Sequence, residues 1–180
     1  NGPVEDLHLL FFGAVLDLMT SWVSHLPDTC DAGFVAGVGM NPEELAANPR
    51  LDRYELQDLN ERPVLPFDDG TFDTVICTVS LEYLVDPAGA LREAGRVLRP
   101  GGRALISFSN RCFPTKAIRL WGELQEFERM ALVSAWFHQA DCFEAVETTA
   151  MLGFARPDDD PYAEQSTAAD PVYLVAATRT

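Results

Sequence analysis

Residues 65–110 read LPFDDGTFDTVICTVSLEYLVDPAGALREAGRVLRPGGRALISFSN, and the order of elements in this stretch decides the fold class. Thr71 to Thr78 (TFDTVICT) is rich in β-branched and aromatic residues and is entered through the turn Asp68-Asp69-Gly70, the pattern of a strand. Asp86-Pro87 then supplies a helix cap followed by a proline at the first helical position. Leu91, Ala94, Val97 and Leu98 recur at the three-and-four spacing of a helix packed on one face. Pro100-Gly101-Gly102 stops that helix, and Ala104 to Ser109 (ALISFS) is the next strand. A strand, a crossover helix and a strand in this order call for parallel pairing.

The flanking sequence extends the alternation. Ala14 to Met19 (AVLDLM) and Phe34 to Val38 (FVAGV) are compact apolar runs, which suit parallel strands buried on both faces. Asn41-Pro42-Glu43-Glu44 combines a cap, a proline and two acids at the positive end of a helix dipole, so a short helix to about Asn48 is expected. Tyr54 to Gln57 is a weaker strand ending at Asp58-Leu59-Asn60. Downstream, the spacing predicts one long helix over Gly122 to Ala140, with Leu124, Phe127, Ala131 and Ala135 on its packed stripe. Glu144 to Leu152 and Val172 to Thr178 read as strands on either side of an acidic loop around Asp158-Asp159-Asp160-Pro161. There is no internal repeat, so residues 1–180 are expected to form a single α/β domain with a mostly parallel, doubly wound sheet. Such a sheet binds ligands at the carboxyl ends of its strands.

The composition narrows the function. The 180 residues are 47% hydrophobic and 23% charged, an ordinary globular balance. Thirteen Lys and Arg stand against 28 Asp and Glu, a net charge of −15, and Lys116 is the only lysine. That field repels phosphate backbones and anionic membrane surfaces, so no nucleic acid and no membrane are expected as partners, and a small or neutral partner is favoured. The apolar run Leu7 to Met19 is broken by Gly13 and Asp17 and lacks a basic flank and a cleavage site, so it does not read as a signal peptide, and the chain reads as cytoplasmic. Cys30, Cys77, Cys112 and Cys142 lie far apart, with no C-x-x-C and no histidine at ligand spacing, so no metal is expected and the thiols are expected to be unpaired. The signatures of P-loop hydrolases, serine esterases and zincins are all missing.

Residues 65–110 resemble the class I S-adenosylmethionine-dependent methyltransferases, in which a similar L-P-F-x-D-x-x-F-D strand and an E-x-x-R-V-L-x-P-G-G helix-turn follow one another. The resemblance continues in order along nearly the whole chain. It implies a seven-stranded Rossmann-like sheet with a C-terminal antiparallel hairpin, S-adenosyl-L-methionine as cofactor, and methyl transfer to a small-molecule or protein side-chain acceptor. Only sixteen residues precede Asp17, so the longer N-terminal helical cap of the family is expected to be incomplete.

The resemblance also implies residue roles. Asp17 matches the family's acid beside the ammonium of the cofactor's methionine part; the alternative is a cap of the Thr20 to Trp22 turn. The family's glycine-rich turn is replaced by Leu18-Met19-Thr20-Ser21-Trp22, so Met19, Ser21 and backbone N–H groups of a helix starting near Ser21 to Ser24 are expected to face the ligand. Gly39 stands where the family has a ribose-binding acid; Met40 follows it, and Asn41, Glu43 and Glu44 are the nearby substitutes. Asp58, Leu59 and Asn60 fall at the adenine position, with an Asx-turn as the alternative. Thr78 and Val79, with Ser80, are expected to line the cleft facing the methyl group. Glu82 and Tyr83 are the candidates to orient or deprotonate the acceptor. Arg111, in the segment Ser109 to Lys116, is either a clamp for a substrate carboxylate or phosphate or the partner of a structural acid. Trp121, Phe127, Trp136 and Phe137 form an aromatic pocket or core, and His25 and His138 are structural or solvated.

Two rival readings remain. One is a non-catalytic module that binds the cofactor or a protein partner without turnover, suggested by the missing glycines. The other is a dinucleotide oxidoreductase, suggested by Gly37-Val38-Gly39 with Asp58 downstream; Pro42 in place of the third glycine counts against it.

Overall fold

In chain order the elements are β1 (Gly13–Leu18), β2 (Ala32–Gly39), α1 (Pro42–Ala47), β3 (Arg53–Leu56), β4 (Phe72–Thr78), a 3₁₀ turn (Leu81–Tyr83), α2 (Pro87–Val97), β5 (Leu98–Ser109), α3 (Arg119–Glu123), α4 (Glu126–Ala140), β6 (Phe143–Met151) and β7 (Val172–Arg179). They are those of a computed structural model, which describes residues 13–27, 30, 32–156 and 167–180. The strands form one sheet in the order β3-β2-β1-β4-β5-β7-β6. Pairing is parallel from β3 to β5, and β7 runs antiparallel to both of its neighbours. The mostly parallel sheet is the one that the alternation predicts, and its C-terminal antiparallel pair is the one that the resemblance implies. The acidic stretch Asp158 to Pro161 lies outside the described residues.

The compact apolar runs become central strands because both faces of the sheet are buried. Leu16 and Leu18 share one core with Val75, Cys77, Ala104, Ile106 and Phe108, against which α2 and α4 pack. Val15, Ile76 and Leu105 face the opposite way, with Leu26 and Val35. Alternate residues of a single run thus serve two cores, which a half-exposed amphipathic strand could not do.

Arg96 joins the two halves of the motif that identifies the fold. Its guanidinium donates to the carbonyls of Leu65 (2.9 Å) and Phe67 (2.9 Å) and to the carboxylates of Asp69 (2.7 Å) and Glu93 (2.8 Å). Glu93 in turn accepts from the Leu65 N–H at 2.9 Å. The L-P-F-D-D turn and the R-V-L-R-P-G-G helix end are therefore one hydrogen-bonded unit.

Three expectations need correction. Pro100-Gly101-Gly102 does not separate helix from strand: β5 starts directly at Leu98, and the three residues bulge out of it, since Phe72 pairs with Leu98 whereas Thr74 pairs with Arg103. Gly101 takes φ +79° in that bulge, a conformation open to glycine at little cost. The long helix is two helices. Leu124 and Gln125 are extended, and a capping box between Gln125 and Glu128 restarts the helix. Finally, the packed stripe is on the other side of α4. Phe127 is 63% exposed and Ala131 and Ala135 face solvent, while Met130, Val133, Phe137 and Ala140 are buried. The second set carries far more apolar area than two alanines, and area decides which face turns inward.

Candidate active site

A cavity of about 710 Å³ opens at the carboxyl ends of β1 to β4, where the chain's direction of travel across the sheet reverses between β1 and β4. That crevice is where open α/β sheets hold ligands. All eleven residues expected at the cofactor line it: Asp17, Met19 and Ser21 at and beyond the end of β1; Gly39, Met40 and Asn41 at and beyond the end of β2; Asp58, Leu59 and Asn60 beyond β3; Thr78 and Val79 at the end of β4.

The turn after β1 departs from its expected form. No helix lies between β1 and β2 among the described residues, so the expected helix start near Ser21 to Ser24 is absent. Met19 nevertheless adopts φ 56°, the left-handed conformation that glycine ordinarily supplies. Thr20 N–H donates to the Val38 carbonyl at 3.0 Å, folding the turn against β2. Asn48, buried at the C-terminal cap of α1, then holds the loop: its amide donates to the Ser21 carbonyl (2.8 Å), to Ser24 Oγ (3.3 Å) and to Thr20 Oγ1 (3.5 Å). A Cβ on Gly39 would stand 2.5 Å from the Thr20 carbonyl oxygen. The folded-down loop therefore excludes the acid that the family places at this position.

The acids that remain have separate roles. Asp17 is 3% exposed, and its Oδ2 meets no hydrogen-bond donor among the described residues. Burial raises its carboxyl to about 6, against the opposing pull of the Ser24 and Thr20 hydroxyls. A buried, unpartnered carboxylate oxygen on a cavity wall suits a ligand ammonium. Asn41 caps α1, accepting from Glu43 N–H (3.0 Å) and Glu44 N–H (3.4 Å), and its amide donates to Glu44 Oε1 at 2.7 Å. Of the nearby substitutes for the ribose-binding acid, Asn41 and Glu44 line the cavity and Glu43 does not. Asp58 accepts from Asn60 N–H at 2.8 Å, so it forms the Asx-turn while also lining the cavity. Asn60 spends its amide on the 3₁₀ turn, donating to the Tyr83 carbonyl (3.1 Å) and accepting from Val85 N–H (2.8 Å).

On the β4 side the candidates separate. Val79 has φ 47°, an outlier for a β-branched residue, and its N–H donates to the Ser107 carbonyl at 2.8 Å. Tyr83 lines the cavity and its hydroxyl accepts from Phe113 N–H at 3.1 Å; burial, reinforced by the Glu82 charge, raises the phenol, which keeps it a proton donor. Glu82 is 1% exposed and lies off the cavity, and neither of its oxygens meets a hydrogen-bond donor among the described residues. Burial raises its carboxyl, offset in part by the Arg129 charge. Arg111 also lies off the cavity, with its Nε 2.9 Å from Asp170, so its observed partner is an acid of the fold. Trp121, Trp136 and Phe137 belong to the core, and Phe127 faces solvent. Thr20 and Gln57, on the cavity wall, are not among the expected site residues, and His25, also there, is expected to be structural or solvated; Lys116, likewise on the wall, ends the segment Ser109 to Lys116 that is expected to meet the substrate through Arg111. Lys116 was legible as the one lysine of the chain, beyond the fifth strand; Thr20 and Gln57 carry no signal in their residue type.

The sheet order, the cavity at its switch point and the acid at the end of β1 define a Rossmann-like methyltransferase. A family model described as a methyltransferase domain matches residues 18–106. The ubiquinone biosynthesis O-methyltransferase of Xanthomonas oryzae pv. oryzae (strain PXO99A) is 32% identical over 175 residues, which cover 84% of this chain and 71% of that one. The demethylmenaquinone methyltransferase of Mycolicibacterium gilvum (strain PYR-GCK) is 52% identical over 42 residues, but these span only 18% of its length. A methyltransferase solved in complex with the Haloferax volcanii Trm112 methyltransferase activator superposes with a TM-score of 0.63 at 22% identity, covering 92% of this chain and 82% of that one. The chain belongs to the class I S-adenosylmethionine-dependent methyltransferase family, whose cofactor is S-adenosylmethionine.

Proposed function

We propose that the chain transfers a methyl group from S-adenosylmethionine to a small-molecule acceptor. The observation that carries this reading is the unpartnered, buried oxygen of Asp17 on the wall of the switch-point cavity. The residues present fit the cofactor by chemical type. Asp17 would hold the ammonium, Glu44 the ribose hydroxyls, and the second oxygen of Asp58 the adenine amino group. When bound, the cofactor supplies an electrophilic methyl group on a sulfonium.

The chain's own contribution is alignment and exclusion of water. Thr78, Val79 and Ser80 form the wall at the end of β4, Leu84 continues it past the 3₁₀ turn, and Val79 is fixed there by its bond to β5. Tyr83, held as a phenol, can donate to an acceptor oxygen, and its own oxygen is kept in place by Phe113 N–H.

Calorimetry on the folded chain tests the reading. S-Adenosylhomocysteine should bind, and Asp17→Ala should weaken it by about 1–3 kcal/mol through loss of a charge-assisted hydrogen bond. Unchanged affinity in the variant would return Asp17 to a capping role. Product binding with no methyl transfer to any of a panel of phenols, amines and carboxylates would favour a non-catalytic module.

A further inference from the structure

The charges of the cavity are sorted by strand. Asp17 lies near the end of β1, and Glu44 and Asp58 follow β2 and β3; the three strands lie side by side on one flank of the switch point. Beyond β4, on the flank of β5, the lining includes Val79, Tyr83, Leu84 and Lys116 and no carboxylate. Lys116 is the only lysine in a chain with 28 acids. Even so, among the described residues it forms no ion pair. Its Nζ stands 5.3 Å from the centroid of the Phe113 ring.

The segment that carries it is fixed at both ends to the 3₁₀ turn. Phe113 N–H donates to the Tyr83 hydroxyl (3.1 Å), and Ile118 N–H donates to the Glu82 carbonyl (2.9 Å). Between these ties, Lys116 N–H and Ala117 N–H both close onto the Phe113 carbonyl, at 2.9 and 3.0 Å. Main-chain bonds thus fix the segment on the cavity wall, and the Lys116 ammonium lies over the Phe113 ring with no carboxylate partner among the described residues. The cofactor's carboxylate is badly placed to take it, since that group shares a carbon with the ammonium assigned to Asp17. Asp17 lies near the end of β1, whereas Lys116 is carried by the segment tied to the 3₁₀ turn after β4, on the other flank of the cavity.

We propose that Lys116 selects an anionic acceptor, an aromatic carboxylate whose charged group pairs with the ammonium while its ring lies against Tyr83, Val79 and Leu84. This proposal rests on the methyl-transfer reading, and its test separates the two. The full chain is titrated with 3,4-dihydroxybenzoate and with catechol, the same ring without the carboxylate, each with and without saturating S-adenosylhomocysteine. The carboxylate probe should bind about tenfold tighter than catechol, the ratio that one good charge pair supplies. The preference should vanish in Lys116→Met and persist in Lys116→Arg, with affinity for S-adenosylhomocysteine the same in all three chains. Lys116 is exposed, so neither variant threatens folding. A wild-type chain without the preference, or a preference that survives Lys116→Met, overturns the proposal. So does a Lys116→Met chain that loses S-adenosylhomocysteine affinity and keeps the preference, since the lysine would then serve the cofactor. A Lys116-dependent preference in a chain that does not bind S-adenosylhomocysteine supports the carboxylate site and overturns the methyl-transfer reading.

Discussion

The turn after β1 and the turn after β4 each place a non-glycine residue in the left-handed region on the same cavity wall, Met19 at φ 56° and Val79 at φ 47°. They are held there by different means. The β4 turn is fixed by neighbours in the sheet and in sequence: Val79 bonds to β5, and the Ser80 hydroxyl donates to the Thr78 carbonyl at 2.8 Å. The β1 turn is fixed from across the site, by Asn48 at the end of α1 and by the pairing of Thr20 with Val38. In this family the β1 turn is ordinarily shaped by its glycines, and here a buried amide supplies the restraint instead. The strain of a non-glycine left-handed residue, about 1 kcal/mol or more, is offset by tertiary hydrogen bonds.

The comparison can be broken most severely at Gly39. Restoring the family's acid with Gly39→Asp forces a side chain onto the Thr20 carbonyl, and we expect a loss of about 3 kcal/mol in denaturant unfolding. A variant of unchanged stability would mean that the β1 turn moves aside freely. Asn48→Ala comes next. It strips donors from two buried hydroxyls and a carbonyl, so stability should fall by about 2 kcal/mol, and S-adenosylhomocysteine affinity should fall with it.

Asp17→Asn sharpens the comparison through pH. Burial lifts the Asp17 carboxyl from 3.8 to about 6, so between those values the folded chain binds more protons than the unfolded one. The unliganded chain should therefore lose stability as pH rises from about 4 to about 6 and then level off. Asp17→Asn should shrink that decline, leaving the share that the buried Glu82 carboxyl contributes, and make the unliganded chain on the order of 1–2 kcal/mol more stable at neutral pH. Because an ammonium needs the ionised carboxylate, S-adenosylhomocysteine affinity should rise through pH 6 in the wild-type chain and stay low and flat in the variant. The smallest effect belongs to Val79→Gly, which relieves the left-handed strain but adds backbone freedom to the unfolded chain. Thermal unfolding should show a gain of up to about 1 kcal/mol, whereas a large loss would mean that packing of the side chain, not the bond to Ser107, holds the turn.

Much of this molecule is legible in its residue order. Runs such as Thr71 to Thr78 must be buried on both faces, and Asn41-Pro42 and Asp86-Pro87 start helices through local hydrogen bonds and a fixed φ, so periodicity and capping alone place the strands and both of these helix starts. The cavity residues at the strand ends follow from that placement, since a parallel sheet collects its carboxyl ends on one edge. Other features depend on distant partners. Which face of α4 turns inward was settled by the larger apolar area of Met130, Val133 and Phe137, and the break at Gln125 by a capping box that competes with helix continuity. Arg111 and Lys116 are neighbours in one segment, and only the folded chain shows that Asp170 takes the first while the second is left on the cavity wall. In the same way, nothing in Leu18 to Ser24 announces that Asn48 will hold it. Local pattern fixes backbone conformation and burial period, whereas the pairing of a given polar group is decided by which groups the fold brings within hydrogen-bonding distance.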